Sequence, residues 1–440
     1  VTKLADVLPQ GSQTVDAIYA SYKEVGDAEP TRGYLGASSI GHHCERALWY
    51  GFRHCCKISF DGRMNRLLQT GHLEEARMVA DLRAINCTVH DVDENSQQFT
   101  FSTLGGHFAG HMDGCAIGVP GALKTWHVLE FKTHNTKSFA KLVKEGVGKS
   151  KPQHYAQCQV YMHLSGMTRA LYLAVNKNTD ELYSERIKYN ATESTRYIGI
   201  AERIIASTEP PPRISERPDY YQCRFCDARA ICFGVQEFGK PQALAVPYIS
   251  CRQCCHATPV MDGIGKWICE KHKRGLSTKD QLAACDDHLC LPGLFAFAEA
   301  VNYSDNHIEF RNTDGRKDDT WGHGRDDGCF STKELMHLSQ QQLTLGMVNA
   351  VKKAFEAKIT GVCQNDILDR YPESDCEIVW RGRISRLEEA WKEHFQQPIT
   401  SEEKVCESNS FGCQAVEFIG GCAAFIWPGD KSAEIRKGKE

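Results

Sequence analysis

Two neighbouring segments constrain this chain more than any other part of it. They are FAGHMDGCAI, with Asp113, and VLEFKT, with Glu130 and Lys132, and a turn-like run with Gly118, Pro120 and Gly121 separates them. Both are apolar enough to read as strands. Side chains alternate along a strand, so Glu130 and Lys132 share one face. If the Asp113 strand pairs beside theirs, two carboxylates and an ammonium converge at one end of a sheet. A salt-bridged surface hairpin is the plainer reading of a lone E-x-K, because exposed ion pairs are ordinary and weak. Val128, Leu129 and Phe131 weigh against it, since they make a core strand that should not carry idle charge. Two carboxylates and the carbonyl of Phe131 form a hard oxygen site of the kind Mg²⁺ or Mn²⁺ takes. Such an ion would lower the pKa of a bound water and neutralise phosphate charge. Lys132 would orient the nucleophile or stabilise developing charge.

Three further stretches point the same way. TGHLEE places His72 and Glu75 three apart on a predicted helix, on one face, where they could complete a metal shell; a capped surface helix is the alternative. QHYAQCQVYM places Gln157 and Tyr161 four apart, able to hold a scissile phosphate or a base; the alternative is a packed tyrosine beside a glutamine. KLVKEGVGKSKPQ offers Lys141, Lys144, Lys149 and Lys151 among glycines. It reads as a flexible basic loop, with Lys149 and Lys151 as the candidate grip on DNA phosphates, though such runs are more often solvated surface.

The chain's 440 residues exceed one ordinary domain, and two or three are expected. With 41% hydrophobic and 25% charged residues it is globular in composition. It has no apolar run long enough to span a membrane. VTKLADVLPQGSQ lacks the basic start and apolar core of a secretory signal, so a cytoplasmic protein is expected. The net charge of −4 excludes a global basic footprint, so any nucleic-acid site is a local patch.

Helices are predicted near 14–25, 65–86, 152–166 and 191–208, with a loop and Ser-capped helix start at 36–53. Strands are predicted near 97–103, 107–118 and 126–133, and two more around the turn NKNTD within 169–189. This order implies a mixed sheet with flanking helices. FGKPQALAVP, residues 238 to 247, separates it from the rest.

Twenty-one cysteines cluster at short spacings, which in a chain without a signal points to metal rather than disulfides. YYQCRFCDARAICFG holds Cys223, Cys226 and Cys232, and a second cluster opens at Cys251.

Asp113, then Glu130-Phe131-Lys132, then Gln157 with Tyr161 resembles the PD-(D/E)XK nuclease superfamily, and within it the RecB-like nucleases and Cas4. SSIGHHCERALWY and CRFCDARAIC are similar to the Cas4 segments that carry cluster cysteines. The likeness covers about residues 33 to 236. It implies an α/β (α+β) restriction-endonuclease-like core, with a mixed central sheet flanked by helices. It also implies a [4Fe–4S] cluster on Cys44, Cys223, Cys226 and Cys232, although Cys55 and Cys56 lie near enough to compete with Cys44. A four-thiolate site fits zinc as well as iron–sulfur, and only the resemblance favours the latter.

In the second cluster, Cys251-x2-Cys254, Cys269 with His272 and Cys285 with His288 have knuckle-like zinc spacing. The expected Zn²⁺ ligands are Cys251, Cys254, Cys269 and Cys285. His272 and His288 are rivals; Cys255, His256 and Cys290 are weaker ones. STKELMHLSQQQLTLGMVNAVKKAFEAKI suggests helices, and RYPESDCEIVWRGRISRLEEAWKEHF a strand and a helix, without a site.

The expected organisation is an N-terminal helical segment (1–32), the nuclease domain (33–236), a linker (237–250), a zinc module (251–294) and an α+β region (295–440). The expected function is a Mg²⁺- or Mn²⁺-dependent DNA exonuclease. Asp113, Glu130, Lys132, Gln157 and Tyr161 would be catalytic, and His72, Glu75, Asp113, Glu130 and Phe131 would hold the metal. The resemblance implies single-stranded DNA or duplex ends as substrate. It further implies a recombination or annealing partner protein and a phage or bacterial setting. The alternative is a silent nucleic-acid-binding or inhibitor protein that keeps the fold.

Overall fold

The computed structural model describes residues 12–234, 242–314 and 320–344, and beyond them the strands Lys358–Val362, Gln414–Phe418 and Gly421–Ile426. The chain forms two compact units. The first takes the chain up to Phe52, Lys57–Ile214 and Pro259–Ile268; the second takes Arg53–Cys56, Ser215–Thr258 and the chain from Cys269 onward.

In the first unit, α1 (Gln13–Ala28), α2 (Glu45–Phe52) and α3 (Gly62–Ala84) precede most of the strands. The strands are β1 (Leu35–Gly36), β2 (Thr88–His90), β3 (Thr100–Thr103), β4 (Phe108–His111), β5 (Cys115–Ile117), β6 (His127–His134), β7 (Arg169–Asn176) and β8 (Leu182–Lys188). Helices α4 (Thr136–Ser150) and α5 (Pro152–Ser165) connect β6 to β7, and α6 (Ala191–Ala206) follows β8. The central sheet has the order β2-β5-β6-β7-β8. Only β6 and β7 run parallel, with Glu130 opposite Tyr172, as a helical crossover requires. A smaller sheet has the order β1-β4-β3. This is the mixed, helix-flanked α+β arrangement that the sequence predicts.

Local chemistry starts these helices. Asp61 caps α3 by accepting from the Met64 N–H at 2.6 Å, and Asn135 caps α4 from Ser138 at 2.8 Å. Met78, Val79 and Leu82 of α3 pack with Leu129, Phe131, Leu171 and Leu173 on one face of the central sheet. Glu130 and Lys132 therefore face the opposite side, towards α5.

Two sequence expectations change. The single strand expected over 107–118 is two strands in different sheets, broken at Met112, Asp113 and Gly114. Gly114 makes the break with φ of 141°, and a Cβ there would lie 2.6 Å from the His90 carbonyl oxygen. The basic stretch expected as a flexible loop is helix α4. It buries Phe139, Leu142 and Val147, and Gly146 (φ 73°) kinks it instead of opening it.

In the second unit, Arg53 is buried and donates to the carbonyls of Arg252 and Ala257. An antiparallel sheet of β9 (Ala298–Tyr303), β10 (His307–Asn312) and β11 (Thr320–Gly324) surrounds an aromatic core in which the Phe310 and Trp321 rings stack 4.7 Å apart. Helix is present at Thr332–Leu335, whereas Lys358 and Ile359, the end of the helical expectation, open the strand Lys358–Val362. The element expectations for 345–357 and 370–395 lie outside the described residues.

Candidate active site

The break at Asp113 sets the geometry of the site. The Phe131 backbone N–H donates to Asp113 Oδ2 at 2.7 Å, which pins the carboxylate beside the Glu130 strand. Lys132 forms an ion pair with Glu130 and donates to the Phe131 carbonyl at 3.0 Å. Glu130 is fully buried, and Lys132 is its charged partner. On α3, His72 Nδ1 lies 3.5 Å from Glu75 Oε2. On α5, Gln157 donates to Tyr161 at 3.3 Å, and the Tyr161 hydroxyl donates to the His111 carbonyl at 2.7 Å.

His72, Glu75, Asp113, Gln157 and Tyr161 all line one cleft of about 560 Å³. Glu130 and Lys132 do not line it; they lie behind Asp113. Sequence reasoning missed Arg32, Tyr34 and His111 on the same wall. The His111 ring joins the Tyr34 hydroxyl and Thr100 Oγ1, each at 2.9 Å. Nothing in the TRGYLG spacing marks Arg32 or Tyr34 as part of a site.

The electrostatics are those of a carboxylate cluster short of positive charge. Burial, and then Asp113, push the Glu130 carboxyl up to about 8 against the pull of Lys132. Burial also raises Asp113, and burial with the Asp113 charge raises Glu75. Burial works against the Lys132 ammonium, but Glu130 and Asp113 outweigh it and hold the lysine protonated. Perturbed groups gathered at a cleft are the pattern of a working site.

Behind Lys132 runs a chain of groups that the sequence did not signal. The Tyr172 hydroxyl joins His154 Nδ1 at 2.8 Å and His134 Nε2 at 3.0 Å. His134 Nδ1 meets Ser138 Oγ at 3.2 Å, and Lys151 donates to that same hydroxyl. Lys151, expected as a phosphate grip, is thus partly buried and turned inward, whereas Lys149 is exposed.

Of the cluster cysteines, Cys223, Cys226 and Cys232 belong to the second unit and Cys44 to the first. Cys56, the rival, is also in the second unit. Its thiol is pushed up to about 12 by burial and then by neighbouring Cys226, Asp227 and Cys232. Among the expected zinc ligands, Cys251 neighbours Cys285 and Cys269, and Cys254 neighbours Cys251 and Cys285.

Among the described residues, no helix is long and apolar enough to cross a membrane. No family model and no curated protein matches the chain. Among solved structures it is similar to a protein crystallised as SSO0001, with 14% identity over 51% of this chain and 98% of that one and a TM-score of 0.31. It is also similar to the alkaline exonuclease LHK-Exo from Laribacter hongkongensis, with 15% identity over 43% of this chain and 91% of that one and a TM-score of 0.29. The same exonuclease in complex with dAMP gives 16% identity and a TM-score of 0.30 over the same shares. At these scores none of them bears on what this chain does.

Proposed function

We propose that the chain is a divalent-metal-dependent deoxyribonuclease of the PD-(D/E)XK, RecB/Cas4-like type that hydrolyses phosphodiesters, acting as an exonuclease in bacterial or phage DNA processing. The observation that carries this is the convergence of His72, Glu75, Asp113, Gln157 and Tyr161 on one cleft, backed by a buried Glu130 paired with Lys132. A buried carboxylate is costly unless a positive charge meets it, and Lys132 meets Glu130, while burial raises Asp113 and Glu75 beside it. The donor set of Glu75, Asp113 and Glu130, with the Phe131 carbonyl and His72, is oxygen-rich and fits Mg²⁺ or Mn²⁺. When bound, such an ion supplies an activated water and charge neutralisation at phosphate.

The chain's own residues do the rest. The Phe131 N–H fixes Asp113. The Lys132 ammonium holds Glu130 and stands ready to orient the nucleophile. Tyr161, anchored on the His111 carbonyl and held by Gln157, lines the wall where a phosphate would lie. The site retains its carboxylates and lysine, which favours an active enzyme over a silent binder.

The resemblance adds a [4Fe–4S] cluster on Cys223, Cys226 and Cys232. It assigns the fourth place to Cys44, whereas the nearness of Cys56 to Cys226 and Cys232 favours Cys56. Protein purified without oxygen should be brown, and whichever of Cys44→Ser or Cys56→Ser bleaches it names the ligand. The deciding test of function is digestion of end-labelled single-stranded and duplex DNA with and without Mn²⁺. Wild type should degrade DNA only with the metal, and Glu130→Gln should not degrade it at all. Full activity in Glu130→Gln would remove the nuclease reading from this site.

A further inference from the structure

The second unit gathers a different set of donors, which phosphodiester chemistry does not use. Cys285 Sγ lies 3.7 Å from His272 Nε2, and Asp287 Oδ2 lies 3.3 Å from that nitrogen. Donor atoms of the three residues fall within 4.8 Å of one another. Two more thiols lie in the neighbourhood. Cys251 is positioned by its N–H, which donates to the Ala283 carbonyl at 2.7 Å, and its thiol feels both Cys285 and Cys269. Cys269 ends the short strand Trp267–Cys269, and its sulfur accepts the His272 backbone N–H at 3.5 Å.

His288, Cys255 and Cys290 fall away on their own hydrogen bonds. Both ring nitrogens of His288 are engaged, Nδ1 with Thr332 Oγ1 and Nε2 with the Ser250 carbonyl, each at 2.9 Å. Cys255 donates its S–H to the Cys290 carbonyl, and Cys290 meets Thr332 Oγ1. Cys254 also accepts main-chain N–H groups, from His256 and Leu289, but it is buried, whereas His272 stands 3.7 Å from the exposed Cys285. His256 Nε2 is a separate sign that this region lacks a partner, being buried with no hydrogen bond. Its ring lies close enough to His272 and Asp287 to feel both.

We propose that these groups hold a zinc-class ion, with the thiolates of Cys251, Cys269 and Cys285 and the imidazole of His272 as its four ligands. Three sulfurs and one nitrogen close a tetrahedral shell and leave no open position, so the centre is structural. This replaces Cys254 in the set expected from spacing with His272, because His272 faces Cys285 directly. Asp287 borders the shell: its Oδ2 lies 3.3 Å from the same His272 nitrogen, and its Oδ1 is held by Arg325 at 2.6 Å. The ion would tie residues 251 to 285 into one element, and its binding free energy would be folding free energy for that stretch.

The test uses the full chain and does not depend on variants that fold. Cys285 is exposed, so as a free thiol it reacts quickly with iodoacetamide. With zinc present, peptide mass spectrometry should show Cys285 alkylated at least about tenfold more slowly than after a zinc chelator is added. Equal rates would overturn the proposal. Cobalt(II) loaded in place of zinc should give a tetrahedral visible spectrum with thiolate charge transfer. Cys285→Ser and His272→Ala should each lose it, and Cys255→Ser should keep it. A cobalt spectrum without thiolate character, or one unchanged in His272→Ala, would equally overturn it.

Discussion

The Phe131 N–H donates to Asp113 Oδ2 at 2.7 Å, and through that bond a residue in the break between two sheets is fixed to the strand that carries Glu130 and Lys132. Asparagine at 113 keeps an acceptor for this N–H but removes the charge. We expect Asp113→Asn to unfold at nearly the wild-type temperature while Mn²⁺-dependent cleavage falls by at least about 10²-fold, the scale of losing one electrostatic stabiliser. Cleavage within a few-fold of wild type would show that the carboxylate only braces the backbone.

Glu130 and Lys132 should be worth more as a pair than apart. Removing the ammonium leaves a buried carboxylate with no counter-charge, and breaking such a pair costs about 3–5 kcal/mol. The Lys132 side chain keeps 27% of its surface exposed, so we expect about 2–4 kcal/mol for Lys132→Met in urea unfolding with a chelator present. The double variant Glu130→Gln with Lys132→Met should recover more than half of that loss. Simple additivity of the two single effects would mean that the groups are not coupled.

The histidines behind Lys132 imply an acid-sensitive fold. Burial, then Lys151 and Lys132, lowers His134 to about 4, and burial, then Lys132, lowers His154 to about 3. An unfolded histidine titrates near 6.5, so the folded state needs neutral rings and the unfolded state does not. The stability they contribute is therefore full above about pH 6.5 and is lost as pH falls from there towards 3 to 4. The raised carboxyls of Glu75, Asp113 and Glu130 act in the opposite sense, so the comparison must be with a variant. Between pH 7.5 and 4.5, wild type should lose on the order of 2 kcal/mol more than His154→Gln in urea unfolding. Parallel losses in the two proteins would count against a neutral, hydrogen-bonded His154.

Some of this site is legible in the sequence because it rests on short-range periodicity. Glu130 with Lys132, His72 with Glu75, and Gln157 with Tyr161 each follow from alternation along a strand or spacing along a helix. What the sequence hides depends on pairing between distant segments. Tyr172 meets His154 and His134 because β6 and β7 pair in parallel with Glu130 opposite Tyr172, a register no local pattern specifies. Asp113 looks like a strand residue because Met112 and Cys115 are apolar; only the change of sheet at Gly114 turns it into a break. Helix α4 looks like a loop because its lysines and glycines outnumber the apolar stripe of Phe139, Leu142 and Val147. Cys56 loses to Cys44 by motif but stands beside Cys226 and Cys232 once the chain is folded.

That helix carries the last prediction. Lys141, Lys144 and Lys149 are exposed on α4, whereas Lys151 donates to Ser138, which in turn meets His134. A lysine that neutralises a DNA phosphate releases a counterion and adds about 0.9 to the salt slope of binding. Replacing Lys141, Lys144 and Lys149 together with alanine should weaken DNA binding without sequence preference and reduce the slope of log affinity against log salt by about 2–3. Lys151→Ala should leave that slope unchanged, because its ammonium is already committed inside the protein. Its effect should appear instead as a shift in the acid unfolding of the His134 network. An unchanged slope in the triple variant would place the phosphate grip elsewhere on the cleft wall, and a flattened slope in Lys151→Ala would show that this lysine leaves Ser138 for DNA.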